Sequence, residues 1–459
     1  MPKNQKVCSH EALELEPSAY AKEAGFVWSS PDRRLAATTK SGRNPLITKG
    51  QNAKTLEVLT QDSASKLSSA FPGPLVLPND ELALNPKYPP QSFRSWLNES
   101  LRKNRKPNKR RQTLYVATAP EITSSVGFMK KWLQPHVKKG GKLMAAEMLN
   151  SLPTEDLVNF TGAFYHGMPV KAFPHRLQFV PWDEPKKSGK RDSNMDYVGL
   201  LAGNNCTRIR ARPCPDGTFG RQLNLEDLLD AAIEMLLGDA YSIILLFDHD
   251  MYEDEDDDFC CGRAYGGNRV AVVSTARYHP ALDDHAEIDF AHMWPASHCK
   301  SYVDSACTLE GVEPTPKKTQ RMDDALGPLQ AASEAAGNLA EPSTSEDRKA
   351  LWFSRIARTT VHELGHCLGI DHCIYYACVM QGTARMAEDV RQPPYLCPVC
   401  LSKVSHAIAC ELGGRDEAGK EEYVKERYRS IANFCESWKQ VGLFAGYGAW
   451  IRARLEQLE

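Results

Sequence analysis

Residues 361 to 373 read VHELGHCLGIDHC, and the chain continues IYYACVMQG to Gly382. The thirteen residues close a longer segment, RKALWFSRIARTTVHELGHCLG from Arg348, whose composition predicts a helix that stops at Gly369. Side chains four apart share a helix face, so His362 and His366 can aim two imidazoles at one ion. Glu363 lies one step round from His362, within reach of a water at that ion without being a ligand. Gly369 can take a positive φ, turning the chain so that His372 adds a third nitrogen from outside the helix. Three protein ligands with a fourth position open describe a catalytic zinc rather than a structural one. Chance does not account for the pattern: His-Glu-x-x-His followed by Gly and His at these places is expected on the order of 10⁻⁵ times in a chain of this kind.

A second metal signal begins on the next residue. Cys373 and Cys378 have four residues between them, Cys397 and Cys400 have two, and 18 residues join the pairs. Two short cysteine pairs at such spacing predict a closed tetrahedral structural zinc. Because His372 and Cys373 are adjacent, the two sites must share backbone, so the four-cysteine ion is expected to hold the loop that delivers His372 and to keep Met380 beneath the catalytic ion.

The rest of the 459 residues is read outward from these sites. Lys+Arg 56 nearly balances Asp+Glu 58, and 42% of residues are hydrophobic, which describes a globular chain and argues against one that coats nucleic acid or anionic lipid. MPKNQKVCSH contains no apolar run, and no stretch approaches the ~20 apolar residues of a spanning helix. The expectation is a soluble, intracellular, non-secreted protein in which 14 cysteines stay reduced unless they bind metal. Residues 1–112 are polar, with Pro and Ser, and are expected to form a partly disordered extension. Its basic tract LRKNRKPNKRR, Leu101 to Arg111, reads either as a solvated linker or as a nuclear-import or nucleic-acid patch.

From Thr113 the pattern becomes that of a folded domain, expected over 113–459. Helical segments interrupted at Pro135 and Gly140-Gly141 are expected first, then short strands around 163–173 and 177–182. TRIRARPC, the amphipathic LEDLLDAAIEMLL capped by Asn224, and the continuously apolar YSIILLF suggest a strand, crossover helix and strand in one parallel sheet. DHDMYEDEDDD, Asp248 to Asp258, reads as a solvated acidic loop. FCCGRAYGG, with Gly262, Gly266 and Gly267, suits a sheet edge, and RVAVVST suits the strand beside it. Residues 308–347 are expected to be a mobile insertion, and 401–459 amphipathic helices packed on the domain.

The stretch His362, Glu363, His366, Gly369, His372, Cys373, Cys378, Met380, Cys397 and Cys400 is similar at every position to the archaemetzincin family of zinc metallopeptidases. The resemblance spans about Ala163 to His406, without the insertion. It implies an α/β (α+β) metzincin-like zincin fold: a twisted mixed sheet, an active-site helix, a Met-turn at Met380 and a four-cysteine zinc subsite. It also implies that a peptide lies antiparallel to an edge strand formed by Phe259, Cys260, Cys261, Gly262, Arg263, Ala264 and Tyr265. Some metzincins carry a tyrosine two residues after the Met-turn methionine, where this chain has Gly382.

These readings converge on zinc-assisted hydrolysis of peptide bonds with Glu363 as general base, two Zn²⁺ per chain, and peptide or protein as substrate. The expected protein is a monomer with no membrane partner and no nucleic-acid partner, located in the cytoplasm, the basic tract leaving the nucleus open. A reading from a different class makes the chain a zinc-stabilised protein- or nucleic-acid-binding module with vestigial catalysis. The intact Glu363 argues against it, since a site kept only for structure needs no base.

Overall fold

Ala240–Phe247 is buried along all of its length, and a strand without polar alternation fits only inside a sheet covered on both faces. It runs parallel to Thr113–Ala117 on one side and Val270–Ser274 on the other. Val170–Ala172 extends this five-stranded sheet at one end, and Gly262–Tyr265 closes the other, antiparallel to Val270–Ser274. Successive side chains point to opposite faces. Leu114, Val116, Ile244, Leu246, Ala271 and Val273 join one core with Ile356, Val361 and Leu364 of the long helix Ser345–Cys367. Tyr115, Ile243, Leu245, Phe247 and Val272 join a second core with the helix Leu225–Glu234 and a six-stranded sheet. The architecture is therefore a mixed α/β fold with the long helix on one face of the five-stranded sheet. The structure, a computed structural model, describes residues 10, 12–47, 53–103, 106–140, 142–149, 152–182, 196–314 and 327–459.

Several expectations require correction. The strand Asn205–Pro213 and the strand Ala240–Phe247 belong to different sheets, because a short strand, Arg221–Asn224, intervenes and pairs with the former. The helix Leu225–Glu234, capped by Asn224 Oδ1 accepting from the Asp227 amide at 3.1 Å, thus crosses between sheets. Beyond Pro135 the chain forms an antiparallel hairpin, His136–Lys139 with Lys142–Ala145, rather than helix. Proline blocks the helix there, and Gly140, at φ +56°, supplies the turn conformation. The acidic stretch is only partly solvated: Asp250–Tyr252 is a buried strand whose Asp250 Oδ2 accepts from Arg277 Nη2 at 2.6 Å.

The segment expected to be a polar extension contributes to the main core. Its helices include Ala19–Glu23, Pro31–Ala36 and Phe93–Asn98, and Phe71, Phe93 and Trp96 are buried in the cluster that holds the long helix. Phe71 stands apart and Phe93 and Trp96 share one short helix, too little for a sustained period, yet each removes a large apolar area from water. Within the expected mobile insertion, Pro328–Gly337 is a helix with Leu329 and Ala332 buried; 315–326 lies outside the described residues. The C-terminal helices Glu417–Ser437 and Gly442–Glu456 pack on the core, with Trp450 stacked 4.5 Å from Tyr395. Among the described residues no helix is long and apolar enough to cross a membrane.

Candidate active site

The long helix starts with a capping box, Thr344 Oγ1 accepting from the Asp347 amide while the Asp347 carboxylate accepts from the Thr344 amide. It ends at Cys367, and Gly369, at φ +76°, turns the chain back. His362 and His366, four residues apart near its end, bring their Nε2 atoms to 3.0 Å. Each ring donates its Nδ1–H to a carbonyl, His362 to Val379 and His366 to Ile370, both at 2.6 Å. The tautomers are thereby set, and the two Nε2 lone pairs face each other. Such an arrangement is repulsive unless a cation lies between them. His372 completes the group, its ring centroid 5.4 Å from that of His362 and 5.0 Å from that of His366. One ligand atom from each ring lies within 4.8 Å of the others. Burial, with the neighbouring rings, pushes His362 well below its usual range and His366 to about 3, and burial with the Arg263 charge pushes His372 to about 4. Three neutral imidazoles on one point fit a zinc ion.

The surroundings leave these rings little freedom. A Cβ on Gly365 would collide with Met380 Sδ, so the methionine is seated against the helix between the two histidines. A Cβ on Gly382 would lie 2.7 Å from His372 Nδ1, so the place where some metzincins have tyrosine is here the space that accommodates the His372 ring.

The turn before His372 is clasped by residues that sequence reading missed. Gln91 donates to the Gly369 carbonyl at 3.0 Å and accepts from the Asp371 amide at 3.1 Å and from Lys403 Nζ at 2.6 Å. Trp96 Nε1 donates to the Leu368 carbonyl at 3.0 Å, and the Tyr88 ring lies 5.7 Å from that of His372. No local pattern marks these three residues; their role arises from contacts some 280 positions away.

Glu363 is 6% exposed, and burial pushes its carboxyl up to about 8 while nearby Arg263 draws it down. Its side chain lies under the outer strand, where a Cβ on Gly262 would sit 3.1 Å from Glu363 Oε1. A cavity of about 280 Å³ is lined by Glu363, His362 and His372 on one side and by Phe259, Cys260, Cys261, Gly262 and Arg263 on another. The strand proper is Gly262–Tyr265, shorter than expected, because Cys260 instead donates its amide to Met251 of the other sheet at 2.8 Å. Ala264 and Tyr265 pack against the two cores rather than lining the cavity. Arg358, one turn before His362, extends the cavity, held by the Asp389 carboxylate and by the Gln392 carbonyl at 3.1 Å.

Cys373, Cys378, Cys397 and Cys400 converge, with all four sulfurs within 4.8 Å of one another. Cys373 Sγ and Cys397 Sγ are 3.5 Å apart, and the Cys397 amide donates to Cys378 Sγ at 3.2 Å. Hydrogen bonds from the other three thiols hold Cys373 well below the ordinary thiol range. Backbone couples this cluster to the histidines: the Cys373 amide donates to the Met380 carbonyl at 2.7 Å. Cys367, on the same long helix, stays out of both groups, buried, with its carbonyl accepting from Tyr241 Oη at 3.0 Å.

Residues 338–406 match the family described as Peptidase family M54. Archaemetzincin-2 of Homo sapiens is 23% identical over 384 residues, 83% of each chain. Archaemetzincin-1 of Mus musculus is 30% identical over 229 residues, 49% of this chain and 37% of that one. Among solved structures, an archaemetzincin from Methanopyrus kandleri matches at 15% identity and TM-score 0.31, over 65% of this chain and 95% of the other. A zinc-dependent peptidase from Methanocorpusculum labreanum matches at 14% identity and TM-score 0.29, over 63% and 99%. The family match is centred on the histidine and cysteine motifs and curated relatives extend the likeness over most of the length, so the chain is similar to the archaemetzincins and is a zinc metallopeptidase.

Proposed function

We propose that the protein hydrolyses peptide bonds at a zinc held by His362, His366 and His372, with Glu363 as general base and a structural zinc on the four cysteines. The observation that carries this reading is the shared cavity: His362 and His372 of the converging triad, the buried Glu363 carboxyl and the outer strand all border it. Zinc bound there supplies a Lewis acid that polarises a carbonyl and makes water acidic near neutral pH. The chain's own residues do the rest. Val379 and Ile370 hold the two helical imidazoles in the tautomer that leaves Nε2 free. Glu363, one residue from His362 and shielded from solvent, accepts the proton of the attacking water and returns it to the departing amine nitrogen. The outer strand, at the end of its sheet, offers backbone groups to an extended peptide running antiparallel to it. Cys373, Cys378, Cys397 and Cys400, closing a metal site of their own, brace the loop from His372 to Met380, which serves as the Met-turn of a metzincin-like fold.

Glu363→Gln tests the base. General acid–base contributions of about 10²–10⁴ predict a loss of that size in kcat/KM on a linear peptide library read by mass spectrometry, with metal content unchanged. Cleavage at the wild-type rate would remove Glu363 from the role.

A further inference from the structure

We propose that His10, His292 and Cys299 form a third, zinc-type metal site that shares no residue with the histidine triad or the cysteine quartet. One ligand atom from each residue lies within 4.8 Å of the others. His10 Nε2 is buried and has no hydrogen-bond partner, a condition that costs free energy unless something occupies the lone pair or receives the proton. His292 presents its Nδ1 to Asp289 Oδ2 at 2.7 Å. A carboxylate on one ring nitrogen leaves the other as the ligand, and it is the outer partner that metal-binding histidines usually have. The ring is further fixed by stacking 4.2 Å from Tyr302, and the His10 ring meets it edge-on at 5.4 Å. Cys299 is buried at the start of the helix Lys300–Leu309, where the helix dipole favours a thiolate.

His10 lies some 280 positions from His292 and Cys299 in the sequence, and backbone pairing explains their meeting. Leu13 and Cys299 form an antiparallel bridge. The Glu14 amide donates to the His298 carbonyl at 2.7 Å, and the Lys300 amide donates to the Ala12 carbonyl at 2.8 Å. Two imidazoles and a thiolate suit zinc and exclude calcium or magnesium, which take oxygen ligands. An ion there would cross-link the start of the chain to the segment 289–299.

The full-length protein, dialysed against Zn²⁺ alone and desalted, should hold one more zinc per chain than either His10→Ala or Cys299→Ser, as read by elemental analysis. His362→Ala should lose a different ion, so that the Cys299→Ser/His362→Ala double variant lacks two, and His10→Ala should retain wild-type peptide cleavage. Failure of the proposed catalytic site would appear in His362→Ala alone, which keeps the two outcomes apart. His10 lies near the chain start, outside the core, so this variant stays informative if Cys299→Ser misfolds. Zinc content of His10→Ala equal to that of the wild type overturns the site.

Discussion

At the scale of single residues, the histidine triad proposed to hold zinc depends as much on small side chains as on histidines. Gly382 is the sharpest case, because a methyl group there would lie 2.7 Å from His372 Nδ1. The ring cannot retreat freely, because the Tyr88 ring lies 5.7 Å from it. Gly382→Ala is therefore expected to displace His372 and weaken zinc binding about 10–100-fold, the range found when the support of a metal ligand is lost. Competition with a chromogenic chelator measures this, and an unchanged dissociation constant would show that the loop yields without cost. The effect should exceed that of Cys367→Ala, since Cys367 touches neither ligand group and its loss removes only a packed thiol.

At the scale of elements, the long helix and its two motifs were legible from spacing alone, because a helix fixes the relation of positions four apart and short cysteine pairs must close locally. What escaped was support that is non-local. Gln91 and Trp96 lie in a stretch with no periodicity, yet they hold three backbone groups of the turn between helix and His372: the Leu368 and Gly369 carbonyls and the Asp371 amide. The parallel sheet was anticipated with a wrong partner, since the four-residue strand Arg221–Asn224 is too short to stand out between a longer strand and a strong helix. Two predictions belong here. Gln91→Ala strands the buried Lys403 ammonium and two backbone groups, so a loss of about 1–3 kcal/mol in urea unfolding is expected, with KM for peptide changed less than kcat. Cys397→Ser should lower zinc by one ion per chain and reduce the melting temperature, and a thermogram superimposable on the wild type would argue that the four sulfurs are merely packed thiols.

At the scale of the whole molecule, the near-zero net charge conceals how the basic tract is used. Arg102 is buried with its guanidinium 3.5 Å over Trp96 and is paired with Glu411, and Lys106 Nζ is 2.9 Å from the same carboxylate. These two cations bind the chain's own C-terminal region, which weakens the reading of the tract as a nucleic-acid patch and makes it a clasp between the N-terminal stretch and the segment His406–Leu412. Burial alone would raise the Glu411 carboxyl, but hydrogen bonds from His406, Arg102 and Lys106 outweigh it and hold the group at about 2. A carboxyl whose folded value lies below its ordinary one stabilises the fold fully above about pH 4.5, and that contribution is lost as pH falls toward 2. The size is on the order of 3 kcal/mol. Unfolding free energies measured between pH 6 and 3 should therefore fall more steeply for the wild type than for Glu411→Gln, with the two curves approaching each other at the acid end. Arg102→Met should be less stable than the wild type at neutral pH, because it leaves a buried carboxylate with one partner fewer, and should lose part of that deficit as Glu411 protonates. Parallel curves for wild type and Glu411→Gln would mean that the clasp contributes nothing to the fold, and the basic tract would then be available to an outside partner.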